Sequence, residues 1–231
     1  MSTLTRPARG RASTRTTIAM KIVMALSGAL FAFFVLAHMY GNLKMFAGAE
    51  AFDEYAHHLR TLGEPILPYS GFLWILRVAL VVALAAHALS AFYLWSRARG
   101  ARSNRYAVRK AAVATLSSRT MRWGGVAILL FVVFHLMQFT WLTFSVGGEF
   151  DSPYARVHAA FEAWWVTAIY LAALLAVGMH LRHGVWSGAQ TLGWTGSEGA
   201  ARTANAAAIL YGLVVVVGFA LPPVCILFGL I

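Results

Sequence analysis

Five stretches of this 231-residue chain, 18–40, 72–97, 121–146, 161–181 and 206–230, are apolar almost without interruption. A helix needs about 20 such residues to cross the hydrocarbon layer of a bilayer. Backbone N–H and C=O groups find no water there, so isolated spanning segments of this length are helices. Only 12% of the residues are charged, about half the share usual in soluble domains. No soluble core explains five such runs. The expected fold is an all-α integral membrane protein with five transmembrane helices, its membrane domain covering 18–231 after a polar, basic tail at 1–17. The first span lacks a small-residue cleavage site and reads as a retained helix rather than a signal peptide. Cys225 is the only cysteine, so neither an internal disulfide nor a cysteine-pair metal site is available.

The formal charge of +11 would suit a nucleic-acid partner, but its distribution points to a membrane instead. Residues 1–21, 97–122 and 182–204 fall on one side of the bilayer and carry 15 of the 19 Lys and Arg, with only Glu198 among the acids. The opposite side has Lys44, Arg60 and Arg156 and the remaining seven acids. Basic residues concentrate on the cytoplasmic side, which puts the N-terminus inside and the C-terminus outside. The basic segments set orientation and attract anionic lipid; docking of a cytoplasmic partner is an equally open use for them.

The chain contains an approximate repeat. Aligning "KIVMALSGALFAFFVLAH" (21–38) with "SRTMRWGGVAILLFVVFH" (118–135) superposes Met24 on Met121, Gly28 on Gly125, Phe34 on Phe131, Val35 on Val132 and His38 on His135. Spans two and four each hold a histidine, His87 and His180, followed by Trp-Ser-x-Ala (95–98 and 186–189). This predicts a four-helix bundle of two parallel pairs, with the fifth helix appended.

Four histidines, one in each of four successive spans, need a joint explanation, because a polar group in lipid is costly unless engaged. Spans one and three run outward, two and four inward. At about 1.5 Å per residue His38 stands roughly 26 Å above Lys21, and His135 roughly 20 Å above Arg122. By the same rise His87 is roughly 15 Å above Arg97, and His180 lies two residues from Arg182. His38 and His135 thus form an outer pair, and His87 and His180 an inner pair. Proton relays, metal sites and haem are the candidates. The apolar interiors hold no Asp or Glu for a proton pump, and two separate layers disfavour a zinc cluster. Histidines facing each other at one depth fill both axial positions of a haem, which suits electron transfer and leaves no place for oxygen. Two b-type haems stacked across the membrane are the best account. Gly28 and Gly125 either make room for a ring or pack helices together.

The segments "HMYGNLKMF", "GEPILPYSGFLWILRVAL", "SRTMRWGGVAILLFVVFH" and "GMHLRHGVWSGAQTLGW" resemble the single-chain dihaem cytochrome b anchor of succinate dehydrogenase and fumarate reductase, respiratory complex II, over about residues 18–194. The resemblance implies that His87 and His180 bind the haem nearer the cytoplasm and His38 and His135 the other. It implies flavoprotein and iron–sulfur partner subunits and electron delivery to a quinone, in the plasma membrane of a prokaryote. Some fumarate reductases of this family carry a glutamate two residues before the fourth histidine; Gly178 stands there in this chain.

A quinone reduced near the outer face, menaquinone being the expected type, needs protons. Glu64 is the first candidate to supply them, with an exposed loop acid as the alternative; Tyr55, His57 and His58 are further candidates in the same segment. Arg77, within two turns of Gly71, either snorkels to the outer interface or meets a propionate of the outer haem. Arg182, with His183, Arg119, Arg122, Ser118 and Gln190, lies at the inner end, as a propionate partner or as an interfacial anchor. His158 is interfacial, without assigned chemistry. The expected function is the membrane anchor of a succinate dehydrogenase; rival readings are a fumarate reductase anchor, the cytochrome b of another quinone-linked oxidoreductase, such as a hydrogenase or nitrate reductase, a haem-free proton-coupled transporter, and an iron–sulfur anchor.

Overall fold

The computed structural model describes the backbone of residues 10–100 and 116–231, and side chains over 16–98 and 120–231. Much of the basic tail, the centre of the 97–122 segment and the Ser118 and Arg119 side chains lie outside the described residues. Among the described residues all regular structure is helical: α1 (Gly10–Leu43), α2 (Ala49–Thr61), α3 (Gly71–Gly100), α4 (Leu116–Phe139), α5 (Pro153–Glu162), α6 (Trp164–Thr191) and α7 (Glu198–Leu227), with a 3₁₀ turn at Lys44–Ala47. Five of these, α1, α3, α4, α6 and α7, are long and apolar enough to cross a membrane. Their outward faces expose Phe33, Val81, Leu89, Leu130, Leu175 and Leu210, as suits contact with lipid. Exposed tryptophans cluster near the two ends of the bundle, Trp74, Trp141 and Trp164 at one and Trp123 and Trp194 at the other, matching the aromatic belts of a bilayer's interfaces.

The spans differ in extent from the sequence expectation, the third and fourth for reasons visible in the packing. The third ends at Phe139, not Val146: the chain turns through Leu142 at φ 53° and Gly147 at φ 85°. The apolar residues beyond the turn fold back as a cap, with Phe144 against Phe134 (ring centroids 5.4 Å) and Val146 against the cluster around Met45, Phe161 and Tyr170. The fourth begins at Trp164, because Ala163 is extended (φ −75°, ψ 108°) and separates it from α5. Thr167 Oγ1 donates to Phe161 O (2.8 Å) across this break. At its other end α6 continues to Thr191, so Arg182 and His183 sit on a helix rather than in a loop. A short link precedes α7, whose N-cap Ser197 accepts from Ala200 N (3.2 Å).

The fifth membrane helix is not a peripheral addition. α7 packs closely on both α6 and α1, and a third of its most apolar window is buried (33%), against 6% for α1 and for α3 and 0% for α4. Small residues allow this approach. A Cβ on Gly218 would collide with Met39 of α1, and one on Gly212 would lie 3.2 Å from Gly178 O of α6. Gly178 itself lies against Val216, with 2.5 Å between Val216 Cγ2 and the position of an added Cβ. A side chain at this position requires Val216 of α7 to shift.

The end of the bundle expected to face outward, here called the outer end, carries a lid of short helices. α2 is joined to α5 by Asp53, whose carboxylate accepts from Ser152 Oγ (2.5 Å) and Tyr154 N (2.9 Å). Ser152 also caps α5, accepting from Ala155 N (3.1 Å). Beneath lies a hydrophobic cluster of buried residues, Met45, Phe161, Val166, Tyr170 and Ile226.

Candidate functional site

The four membrane histidines meet two by two. His38 of α1 faces His135 of α4, ring centroids 5.9 Å apart, and His87 of α3 faces His180 of α6 at 6.1 Å. Ser27, which contacts His87, lies eleven residues before His38 on the same helix, so the two pairs are separated by roughly 16 Å along the bundle axis. The closely packed membrane helices are α1 with α3, α4 with α6, α6 with α7, and α1 with α7 and α6. Neither α1/α4 nor α3/α6 is among them, so each histidine pair bridges helices that do not press backbone on backbone. Among the described residues no group of three or more His, Cys, Asp or Glu converges on one point.

This donor set fits a metal held between two imidazoles. Metal–imidazole bonds of about 2 Å, with about 1.1 Å from nitrogen to ring centre, put two coaxial rings roughly 6 Å apart. Both observed separations agree with that. Hydrogen bonds also present the required nitrogen. Ser27 Oγ donates to Val23 O (2.7 Å), so its lone pair is left to accept from His87 Nδ1 at 3.1 Å. Tyr170 donates its hydroxyl proton to Gln138 Oε1 (3.0 Å) and accepts from His135 Nδ1 (3.1 Å). In both cases the proton on Nδ1 leaves Nε2 as the free lone pair, the arrangement common to metal-bound imidazoles.

The other member of each pair is seated by packing. His38 stacks on Phe34 (5.4 Å, 10° between planes) and meets Phe219 of α7 at 5.6 Å. The His180 ring lies beside Gly125, with Cε1 3.6 Å from a notional Cβ; its buried Nδ1 has no hydrogen-bond partner. Gly28 plays the same part for His87 at 3.3 Å. The repeated glycines thus admit the inner histidine rings, each from the helix preceding the histidine's own. The repeat also explains an asymmetry: the counterpart of Ser27 is Gly124, so His180 has no hydroxyl where His87 has one.

The charged candidates are dispersed. Arg77 is exposed and lies over the Trp74 ring (5.1 Å). Arg182 turns toward α7, with Nη2 3.5 Å from Asn205 Oδ1; two positions along a helix are about 200° apart, which sets it on the face opposite His180. Arg122 stacks on Trp95 at 5.5 Å, while Gln190 is exposed and His183 half-buried. Glu64 is exposed in the turn after α2, as are His57 and His58 on α2 itself; Tyr55 is half-buried over Gly41. On the outer face His158 and Glu162 (3.6 Å) line a groove of about 320 Å³ with Gly147, Phe150 and Tyr154. Sequence inspection passed over Ser27, Tyr170, Gln138 and Glu162. Ser27 and Tyr170 lie on a different helix from the histidine each contacts, so only the tertiary packing joins them; Gln138 and Glu162 stand three and four residues after His135 and His158, a helical spacing that could have pointed to them.

Comparison with protein families gives one match: a family described as succinate dehydrogenase/fumarate reductase transmembrane subunit, over residues 96–220, more than half of the chain. It spans α4, α6 and most of α7, and so includes His135 and His180. No curated protein and no solved structure matches the chain.

Proposed function

The chain belongs to the succinate dehydrogenase/fumarate reductase transmembrane-subunit family, and from that membership we propose that it is the cytochrome b anchor of a succinate dehydrogenase, taking electrons from an iron–sulfur partner to a quinone at the outer face. The observation that carries this reading is the pairing of His38 with His135 and of His87 with His180, at separations suited to one metal each. Bound b-type haem supplies one-electron transfer, with both axial positions filled and none open to oxygen.

His87 and His180 hold the inner group, within reach of the cytoplasmic end, where a flavoprotein and an iron–sulfur subunit dock. His38 and His135 hold the outer one. Phe31 edges toward His87 (6.3 Å) and Phe34, Phe131, Phe139 and Phe219 surround the outer pair, keeping water from both. Arg77 and Arg182 are the cationic side chains that would pair with the haem propionates. Glu64 supplies protons to the quinone from the exposed turn before α3, and menaquinone is the quinone proposed.

The test is pigment analysis of the complex purified with its partner subunits. The expected result is two b-type haems per copy of this chain, with a reduced-minus-oxidised b spectrum and a co-purifying flavoprotein that oxidises succinate. A stable, colourless preparation rejects the haem assignment; partners that do not oxidise succinate reject the complex assigned.

A further inference from the structure

Tyr170 and Gln138 are buried polar residues at the membrane's outer level, 8% and 2% exposed. Both are costly there unless engaged. Their hydrogen bonds form a directed chain, from His135 Nδ1 to the Tyr170 oxygen and from the Tyr170 hydroxyl to Gln138 Oε1. Direction matters. With the Gln138 carbonyl facing Tyr170, the phenol must donate to it and can only accept from His135, which holds the imidazole proton on Nδ1. The opposite direction would put that proton on Nε2 and abolish its lone pair. Gln138 thereby decides, through Tyr170, which nitrogen of His135 is available.

The chain is not inherited from the internal repeat. With spans one and three offset by 97 residues and spans two and four by 93, Tyr170 corresponds to Arg77 and Gln138 to Gly41. Around the phenol ring Phe131 and Phe161 (4.9 Å each), Phe139 (6.1 Å) and Phe134 (6.2 Å) form an apolar wall. Filling apolar space needs no hydroxyl, and a phenylalanine would meet these neighbours as well.

We infer that Tyr170, aimed by Gln138, is a positioning residue that orients His135 and sets the redox potential of the outer haem. This rests on the haem assignment above. A hydrogen bond accepted from Nδ1–H makes the imidazole a stronger donor to a bound metal, which favours the oxidised, more highly charged iron and lowers its potential.

The experiment is a redox titration of the purified complex with its partners, comparing wild type with Tyr170→Phe, Gln138→Leu and Gln138→Glu. Tyr170→Phe and Gln138→Leu are expected to raise the potential of one b component by up to about tenfold in its oxidation equilibrium, about 59 mV for one electron. Gln138→Glu keeps an acceptor oxygen toward Tyr170 in nearly the same volume and is expected to hold that component near its wild-type potential, a rescue that separates the lost hydrogen bond from lost packing. The component that moves must be the one lost in His38→Ala. A wild-type complex without b-type haem overturns the underlying reading and this inference with it. Two haems whose potentials stay unmoved in Tyr170→Phe and Gln138→Leu overturn the inference alone, as does movement of the other component. If Tyr170→Phe does not assemble, Gln138→Leu decides by the same criterion.

Discussion

The ring of His87 on α3 rests against Gly28 of α1, where an added Cβ would come within 3.3 Å of Cε1; at Gly125 the same construction meets His180 at 3.6 Å. The second distance is ordinary contact and the first is tight. Gly125→Ala is therefore expected to leave haem content unchanged. Gly28→Val is expected to displace the His87 ring at a cost of about 1–3 kcal/mol and to lower the inner haem's occupancy. Haem per chain in the purified complex, read beside its thermal midpoint, checks both.

Replacing one histidine of a pair removes half of one ligand set and leaves the other layer, roughly 16 Å away along the axis, intact. His87→Ala and His180→Ala should each lose the same b component in a redox titration, and His38→Ala and His135→Ala the other. Loss of different components within one pair would show the pairing to be wrong.

Gly178 and Val216 are in direct contact between α6 and α7. Gly178→Leu overpacks that crossing and should cost about 1–3 kcal/mol. Val216→Ala in the same chain should restore part of the loss, since neighbouring substitutions couple. Thermal midpoints of the four chains in detergent measure the coupling; strict additivity would refute the contact.

Asp53 joins α2 to α5 through hydrogen bonds from Ser152 Oγ and Tyr154 N to its carboxylate. Bonds to a charged group are worth about 1.5–3 kcal/mol each. Asp53→Ala is expected to raise amide hydrogen exchange across 152–162 while both b spectra stay as in wild type. Unchanged exchange there would mean that the lid is held by its apolar contacts.

In the proposed function, electrons delivered to a quinone at the outer face would carry negative charge outward, which an interior-negative membrane favours by about 2.3 kcal/mol per charge per 100 mV, or about 4.6 kcal/mol for two electrons. Succinate-driven quinone reduction in intact vesicles should accordingly slow on adding an uncoupler, and in Glu64→Gln it should slow further with both haem spectra unchanged. Rates indifferent to the uncoupler would place quinone reduction elsewhere.

The depth of each histidine is legible in the sequence, because a membrane helix advances by a fixed rise and its ends are marked by charge and aromatic residues. The same regularity makes the five spans readable as runs. It fails where apolar residues serve something other than a span: Phe144 and Val146 extend the third run on paper but cap the bundle's outer end. It leaves unspecified the direction that the Arg77 and Arg182 side chains take around their helices, which the structure sets over Trp74 and toward Asn205. Glu64 remains an exposed acid whose place in the chain is known and whose partner is not drawn by any local pattern.

By itself, then, the sequence determined that the chain is a five-span membrane protein carrying one histidine in each of four helices, at two depths. These are properties of single segments, dictated by the apolar length that a bilayer demands and the rise of the helix. Tertiary structure decided that α7 wedges against α1 and α6, that Gly28 and Gly125 admit the inner imidazoles, and that Ser27 and Tyr170 hold one histidine of each pair. Those contacts join residues from different helices, and their formation depends on which faces the helices turn toward one another, a rotation that uniformly apolar spans leave unspecified until they pack.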